Sequence, residues 1–351
     1  MQPIVTYDGM IARFPNMRPK SVELAKKLLP IYPSPELASV VAALMTDGHV
    51  DWYTGVGSPR TRKVVLYSSN KEECEWFIKT CKNIFGFEGK VIAYDPKYGF
   101  YRKQPYKAVI SNACIAMILI LCGAPAGDKT KKNFLIPDWI MNGYDEIKRQ
   151  FLRAFFSFEA SMPFRKSKRH HAFQMSLFMN KSSHLLQNSI DFFSQIIKLL
   201  ECFGVACSRI ASRPHSIGKN TTYFTITNQK SIVNFYRNIG FSSPDKQARL
   251  KSCILDISRF HRLKSGFVCE LIQEMKNRIG TDFNLATCVN NFTENKYSKR
   301  QMEHFRRNEI AVPLEIISAL IKIKNDETIL EKMPYYVQTL LKLESSAHVP
   351  L

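Results

Sequence analysis

Two stretches of the chain are apolar at almost every position, and each stops at one acid followed by a small residue. The first runs from Leu37 through Ala42 to Met45 and Thr46 and ends in Asp47-Gly48; the second runs from Phe151 through Ala154 to Phe158 and ends in Glu159-Ala160. Neither contains an internal proline or glycine, and neither shows the two-residue alternation of a half-buried strand. Both predict helices buried on most sides, and both are shorter than the ~18 residues of a membrane span. Ala42 lies five residues before Asp47 and Ala154 five before Glu159. Small side chains at matched positions would let the two helices pack closely and deliver both carboxylates to one spot. Two carboxylates held together repel unless a hard cation such as Mg²⁺ lies between them. Acids around bridging metals are one route to phosphodiester hydrolysis.

After each acid the pattern changes to alternation, and the same order of elements follows twice. Strands are predicted at 49–54 and 62–67, a helix at 70–85, strands at 90–94 and 101–110, and a helix at 112–122. After Glu159 come strands at 162–169 and 171–180, a helix at 184–203, strands at 206–213 and 220–227, and a helix at 229–239. The fold class is therefore α+β: two αββαββα units related by internal duplication, each with an antiparallel sheet. Residues 1–34 read as an N-terminal extension with one helix at 21–29, closed by Pro30, Pro33 and Pro35. The units occupy 35–143 and 144–262. Residues 263–351 form a helical C-terminal region. There Ser298 caps a basic helix with Lys299, Arg300, His304, Arg306 and Arg307, in an order similar to a helix-turn-helix. The chain from Ser345 on is expected to be loose.

The two acid-terminated runs resemble the paired helices of the LAGLIDADG homing endonucleases, in their single-chain, two-motif form. Further agreement lies in Lys132-Asn133-Phe134-Leu135-Ile136-Pro137-Asp138-Trp139-Ile140, in Lys148 to Arg153, and in Ile239-Gly240-Phe241 with Pro244-Asp245-Lys246-Gln247. The resemblance covers roughly 35–260 (about two thirds of the chain) and departs from the family at Ala160, where a second glycine is usual, and at Ser157 and Phe158. It implies a saddle of two sheets on double-stranded DNA and Mg²⁺ as the divalent cofactor. Asp47 and Glu159, with the Gly48 and Ala160 positions, would lie at the metals. Lys129 and Lys246 follow the two acids by 82 and 87 residues (129−47 and 246−159). The resemblance implies that such a basic residue from each half polarises water or stabilises phosphorane charge.

Charge agrees with a nucleic-acid partner. Lys and Arg number 50 against 30 Asp and Glu, a net charge of +20 over 351 residues, and such a surplus speaks to partners rather than to fold. The strands carry the candidates for DNA contact: Arg60, Arg62, Arg102, Lys103 and Lys107 in the first unit, and Arg165, Lys166, Lys168, Arg169, His170, Arg209 and Arg213 in the second. Alternation places Lys166, Lys168 and His170 on one strand face, where a two-stranded ribbon could read base edges. Nine scattered cysteines without CxxC spacing argue against a structural zinc site and for a reducing, cytoplasmic compartment. No membrane segment, lipidation motif or signal peptide is visible. The first residue is neither Cys nor Ser and the chain ends Val349-Pro350-Leu351, so a free-standing monomer rather than an intein-borne enzyme is expected. Three activities fit this pattern: a metal-dependent, site-specific double-strand endonuclease, a non-cleaving transcription regulator with a helix-turn-helix, and a maturase acting on intron RNA.

Overall fold

The N-terminal residues hold two helices where one was expected. The computed structural model describes residues 2–52, 62–94, 104–167 and 172–347. Helix α1 (Tyr7–Arg13) is capped by Thr6, whose hydroxyl accepts the Gly9 N–H, and α2 (Pro19–Leu28) starts on a proline. Met10 and Ala25 are buried and Val5 bridges Ile31, so this segment is part of the core.

The first apolar run is α3 (Pro35–Met45), buried at every position from Leu37 to Met45. Ser34 accepts the Leu37 N–H at its start, and Thr46 stops it by donating its hydroxyl to the carbonyls of Ala42 and Ala43, the competition with backbone that marks Ser and Thr at helix ends. Strand β1 (Gly48–Asp51) begins at once, followed by β2 (Lys63–Ser68), α4 (Lys71–Phe85), β3 (Lys90–Ala93), β4 (Tyr106–Ile110) and α5 (Ala113–Leu121). The sheet is antiparallel in the order β1-β2-β4-β3. Val64, Leu66, Ala108 and Ile110 are buried on its helix side. Alternation turns Lys63, Tyr67, Ile92 and Lys107 to its open side.

A short helix, α6 (Asp138–Met141), leads into the second apolar run, α7 (Asp145–Glu159). Helices α3 and α7 make the most extensive contact between any two helices described. Then come β5 (Phe164–Ser167), β6 (Ala172–Ser182), α8 (Leu186–Glu201), β7 (Ala211–Ser216), β8 (Lys219–Ile226) and α9 (Gln229–Asn238), with sheet order β5-β6-β8-β7. The two units thus share one topology, the α+β duplication that the hydrophobic pattern predicts. Two strands start later than expected: β4 at Tyr106 within the range 101–110, and β7 at Ala211, not Ala206. The Ser208 N–H donates to Thr225 O at 2.8 Å, but the Ser208 hydroxyl rather than a backbone carbonyl accepts the Thr225 N–H, so the ladder is only half made there. Pro214 is tolerated because β7 is an edge strand.

The remaining chain is helical. Helix α10 (Pro244–Phe260) is followed by β9 (Arg262–Leu263), α11 (Gly266–Ile279), α12 (Asp282–Asn290) and α13 (Lys299–Arg306). Strand β10 (Val312–Pro313), α14 (Leu314–Lys324), α15 (Thr328–Glu331) and α16 (Tyr335–Ala347) complete it. Helix α13 has the capping box of Ser298 and Gln301. Helix α16 packs on α9 and α10, which joins this region to the second unit. It runs through Ser345 to Ala347, where loose chain was expected; residues 348–351 lie outside the described ones.

Candidate active site and nucleic-acid face

Asp47 follows the Thr46 cap of α3, and Glu159 is the last residue of α7. Because these helices lie side by side, their C-terminal ends bring both acids into one electrostatic cluster. Burial pushes Asp47 up to about 6, a rise opposed by Lys129 and Lys246 and helped by Glu73. Burial likewise pushes Glu159 up to about 7, and the Asp47 charge adds to that rise. The Asp47 side chain is open to solvent and Glu159 is half-buried, so the cause is protein crowded around an accessible floor rather than closure. The negative ends of two helix dipoles also disfavour carboxylates there.

Each helix end has its own lysine. Lys129 Nζ donates to the carbonyls of Thr46, of Gly48 at 2.7 Å and of Leu44 at 3.4 Å. Lys246 Nζ donates to Ser157 O at 2.6 Å and Ala160 O at 2.7 Å. The last carbonyls of a helix have no partner within it, and an ammonium at a helix C-terminus is well placed electrostatically. Lys129 is positioned by a turn in which Gly127, at φ +78°, donates its N–H to Val50 O, and Asp128 accepts the Thr130 N–H. Lys246 is positioned by the loop before α10, pinned to α7 where Ser157 Oγ accepts the Ser242 N–H and Arg153 Nε donates to Ile239 O. Burial pulls Lys129 down to about 8, opposed by Glu159 and Asp47. Of the neighbouring lysines, Lys131 lies exposed beside Asp128, and the Lys132 carbonyl accepts from Lys181.

A cavity of about 570 Å³ opens beside Asp47 and Lys246. It is lined also by Ser68, Asn70, Lys71, Glu73, Tyr106 and Asp245. Sequence reasoning missed Glu73. It lies at the start of α4, accepts from Ser68 Oγ and acts on both Asp47 and Lys246. The signal for it was the Asn70 cap, which fixes where α4 begins and so which acid faces the site.

The candidate DNA contacts divide into three groups. Arg60, Arg102, Lys103, Lys168, Arg169 and His170 lie outside the described residues, and the Lys166 side chain is also outside them. Lys107 is on the open face of the first sheet, opposite Tyr67; Arg62 is exposed, its guanidinium 4.0 Å from the Trp52 ring centre; Arg213 is exposed on β7, opposite Thr221; and Arg209 is exposed in the irregular segment before β7. Arg165 is different. It pairs with Phe173, which is buried, and is itself half-buried, so it lies on the covered row and not on the open one. In the C-terminal region Arg306 is also engaged: its Nη1 donates to Gln273 at 2.8 Å and its Nε lies 3.4 Å from buried Asp282. His304 and Arg307 pair with Glu309 and Glu303; Lys299 and Arg300 are exposed, Arg300 Nε donating to His304 Nε2 at 3.4 Å. Of the 50 Lys and Arg and 30 Asp and Glu, 12 and 11 fall after residue 262. Of the 38 and 19 that remain, 5 and 2 lie in residues 1–34, so the two duplicated units hold 33 and 17, a surplus of 16 (33−17) and most of the net charge.

Among the described residues no group of three or more His, Cys, Asp or Glu side chains could hold a metal. Two oxygen-donor acids acting on each other are the ligand type of a hard cation. The carbonyls of Gly48 and Ala160 each accept from a lysine. The described cysteines are all free thiols, and no described helix is long and apolar enough to cross a membrane.

No model of a known protein family matches the chain. The tRNA-splicing ligase RtcB of Pyrococcus furiosus is 28% identical over 225 residues, 61% of this chain and 22% of that protein. RNA polymerase subunit Rpo1N of Methanocaldococcus jannaschii is 24% identical over 240 residues, 64% of this chain and 17% of that protein. The replication factor C small subunit of the same organism is 25% identical over 168 residues, 47% and 9%. The chain thus spans about a fifth or less of these relatives. Among solved structures, the homing endonuclease I-WcaI bound to its DNA recognition sequence has a TM-score of 0.43 at 13% identity, over 69% of this chain and 97% of that one. Full-length DUF199/WhiA from Thermatoga maritima has a TM-score of 0.40 at 14% identity, over 92% and 97%.

Proposed function

We propose that this protein is a divalent-metal-dependent, site-specific endonuclease acting on double-stranded DNA, with Asp47 and Glu159 as its metal-holding acids. The observation that carries the reading is the convergence of two desolvated carboxylates at the ends of two packed helices, each end capped by its own lysine. The pattern of relatives supports it as well. A ligase, a polymerase subunit and a replication factor subunit have different work, and this chain matches only about a fifth or less of each. A segment recurring in unrelated hosts fits a homing element.

When bound, Mg²⁺ would offset the two acids' charge and activate water and phosphate oxygens. Asp47 and Glu159 would hold it. Lys129 and Lys246 keep the helix ends and their acids in place and hold positive charge beside a scissile phosphate; Lys246, with two donors engaged, has a third left for a phosphate oxygen. The open sheet faces bind and orient the duplex, with Lys107 and Arg213 on them and Arg62 nearby. The test is a selection of duplexes from a randomised pool by the full chain, followed by incubation of the selected duplex with Mg²⁺. Double-strand cleavage at a fixed position supports the reading. Tight sequence-selective binding without any cut sinks the nuclease assignment and leaves a regulator.

A further inference from the structure

Strands β2 and β6 occupy the same place in the two sheets, and each buries a leucine, Leu66 or Leu177, against the helices. The next residue in each strand is an aromatic turned to the open side: Tyr67, 41% exposed, and Phe178, 40% exposed. Each meets a second ring. Phe178 lies opposite Tyr223 on β8, with ring centres 5.8 Å apart, and Tyr67 meets Tyr94 at 5.9 Å. In both cases a cation stands over the second ring, Arg213 at 5.7 Å from Tyr223 and Lys107 at 5.5 Å from Tyr94. The two units have diverged in most residues, yet each keeps an exposed ring pair with a cation on its open face.

Exposed rings with a cation beside each pair, on the units that hold most of the net charge, call for a partner that is anionic outside and locally apolar within reach. Duplex DNA presents such a group in its major groove, the C5-methyl of thymine. Resting on the DNA-cutting reading above, we propose that Tyr67 with Tyr94, and Phe178 with Tyr223, are two related contacts for pyrimidine C5-methyl groups in the major groove. Lys107 and Arg213 flank them toward phosphate or base acceptors. Stacking of unpaired bases is the less favoured use of these rings, because one face of Tyr94 and of Tyr223 is already covered by its cation.

The test replaces each thymine of the selected duplex by uracil, one position at a time, which removes only the methyl group. Affinity for the full-length protein is measured at fixed salt for wild type, Tyr67→Ala, Phe178→Ala and Phe178→Leu, each checked for unchanged melting. The expected result is at least one position per half-site where uracil weakens wild-type binding about fourfold, the worth of one buried methyl. That penalty disappears in the alanine variant of the matching half and persists in Phe178→Leu. No sensitive position, or a penalty that survives in both alanine variants, overturns the proposal. Equal affinity for the single strand of the same sequence overturns it too, in favour of base stacking. A wild type that binds no duplex in a salt-dependent way overturns the parent reading instead.

Discussion

At the scale of single residues, Asp47 and Glu159 set a pH dependence whose sign is fixed. Their ordinary values are 3.8 and 4.5, and the folded values are about 6 and about 7. Between pH 4 and 7 the native state therefore binds more protons than the unfolded one, and stability falls as pH rises through that window. Lys129 titrates between its folded value of about 8 and its ordinary 10.5, so it does not mask the effect. The double variant Asp47→Asn with Glu159→Gln is expected to lose this component: its melting temperature changes less between pH 5 and 8 than that of wild type, and at pH 8 it is the more stable protein. Parallel melting curves across that range would mean that the acids are not desolvated by their setting. Mg²⁺ at pH 8 should raise the melting temperature of wild type and not of the double variant, because a ligand stabilises only the state that binds it.

At the scale of elements, the two helix ends are alike in role and unlike in backbone. A Cβ on Gly48 would come within 2.7 Å of the Ala43 carbonyl and the Leu44 Cα, so Gly48→Ala is expected to cost about 1–3 kcal/mol by overpacking. Ala160, at φ −73°, needs no glycine, and Ala160→Gly should cost about 0.4–1 kcal/mol through the unfolded chain. Denaturant unfolding of both variants checks this; equal costs would contradict the asymmetry. Much of this level was legible in the sequence, because burial on all sides leaves an apolar run without alternation and an acid ends it visibly. The order αββαββα followed from strand alternation in both units. Other features were hidden for physical reasons. Seven-residue α1 contains Gly9 and has one buried residue, too little for a period. The register shift between Arg165 and Ser167 breaks the simple alternation by which faces were assigned, and Arg165 lies on the covered row. That Lys129, and not Lys131, reaches the end of α3 depends on the turn at Gly127, a tertiary contact. The aromatic pairs became visible only once the register was known.

At the scale of the whole molecule, most of the charge surplus sits on the duplicated units and the C-terminal helices are nearly balanced. DNA affinity should therefore fall steeply with salt, and Arg213→Ala should reduce the slope of log affinity against log salt by about one. Lys299→Glu with Arg300→Glu should leave that slope nearly unchanged; a large drop would place a principal contact on α13. The most direct test of the central claim compares wild type, Asp47→Asn and Glu159→Gln on the selected duplex, with cleavage in Mg²⁺ or in chelator followed beside binding. The account predicts that wild type cuts both strands only with Mg²⁺, while each variant binds within about twofold and cuts at least about a hundredfold more slowly. Undiminished cleavage by both variants would contradict it.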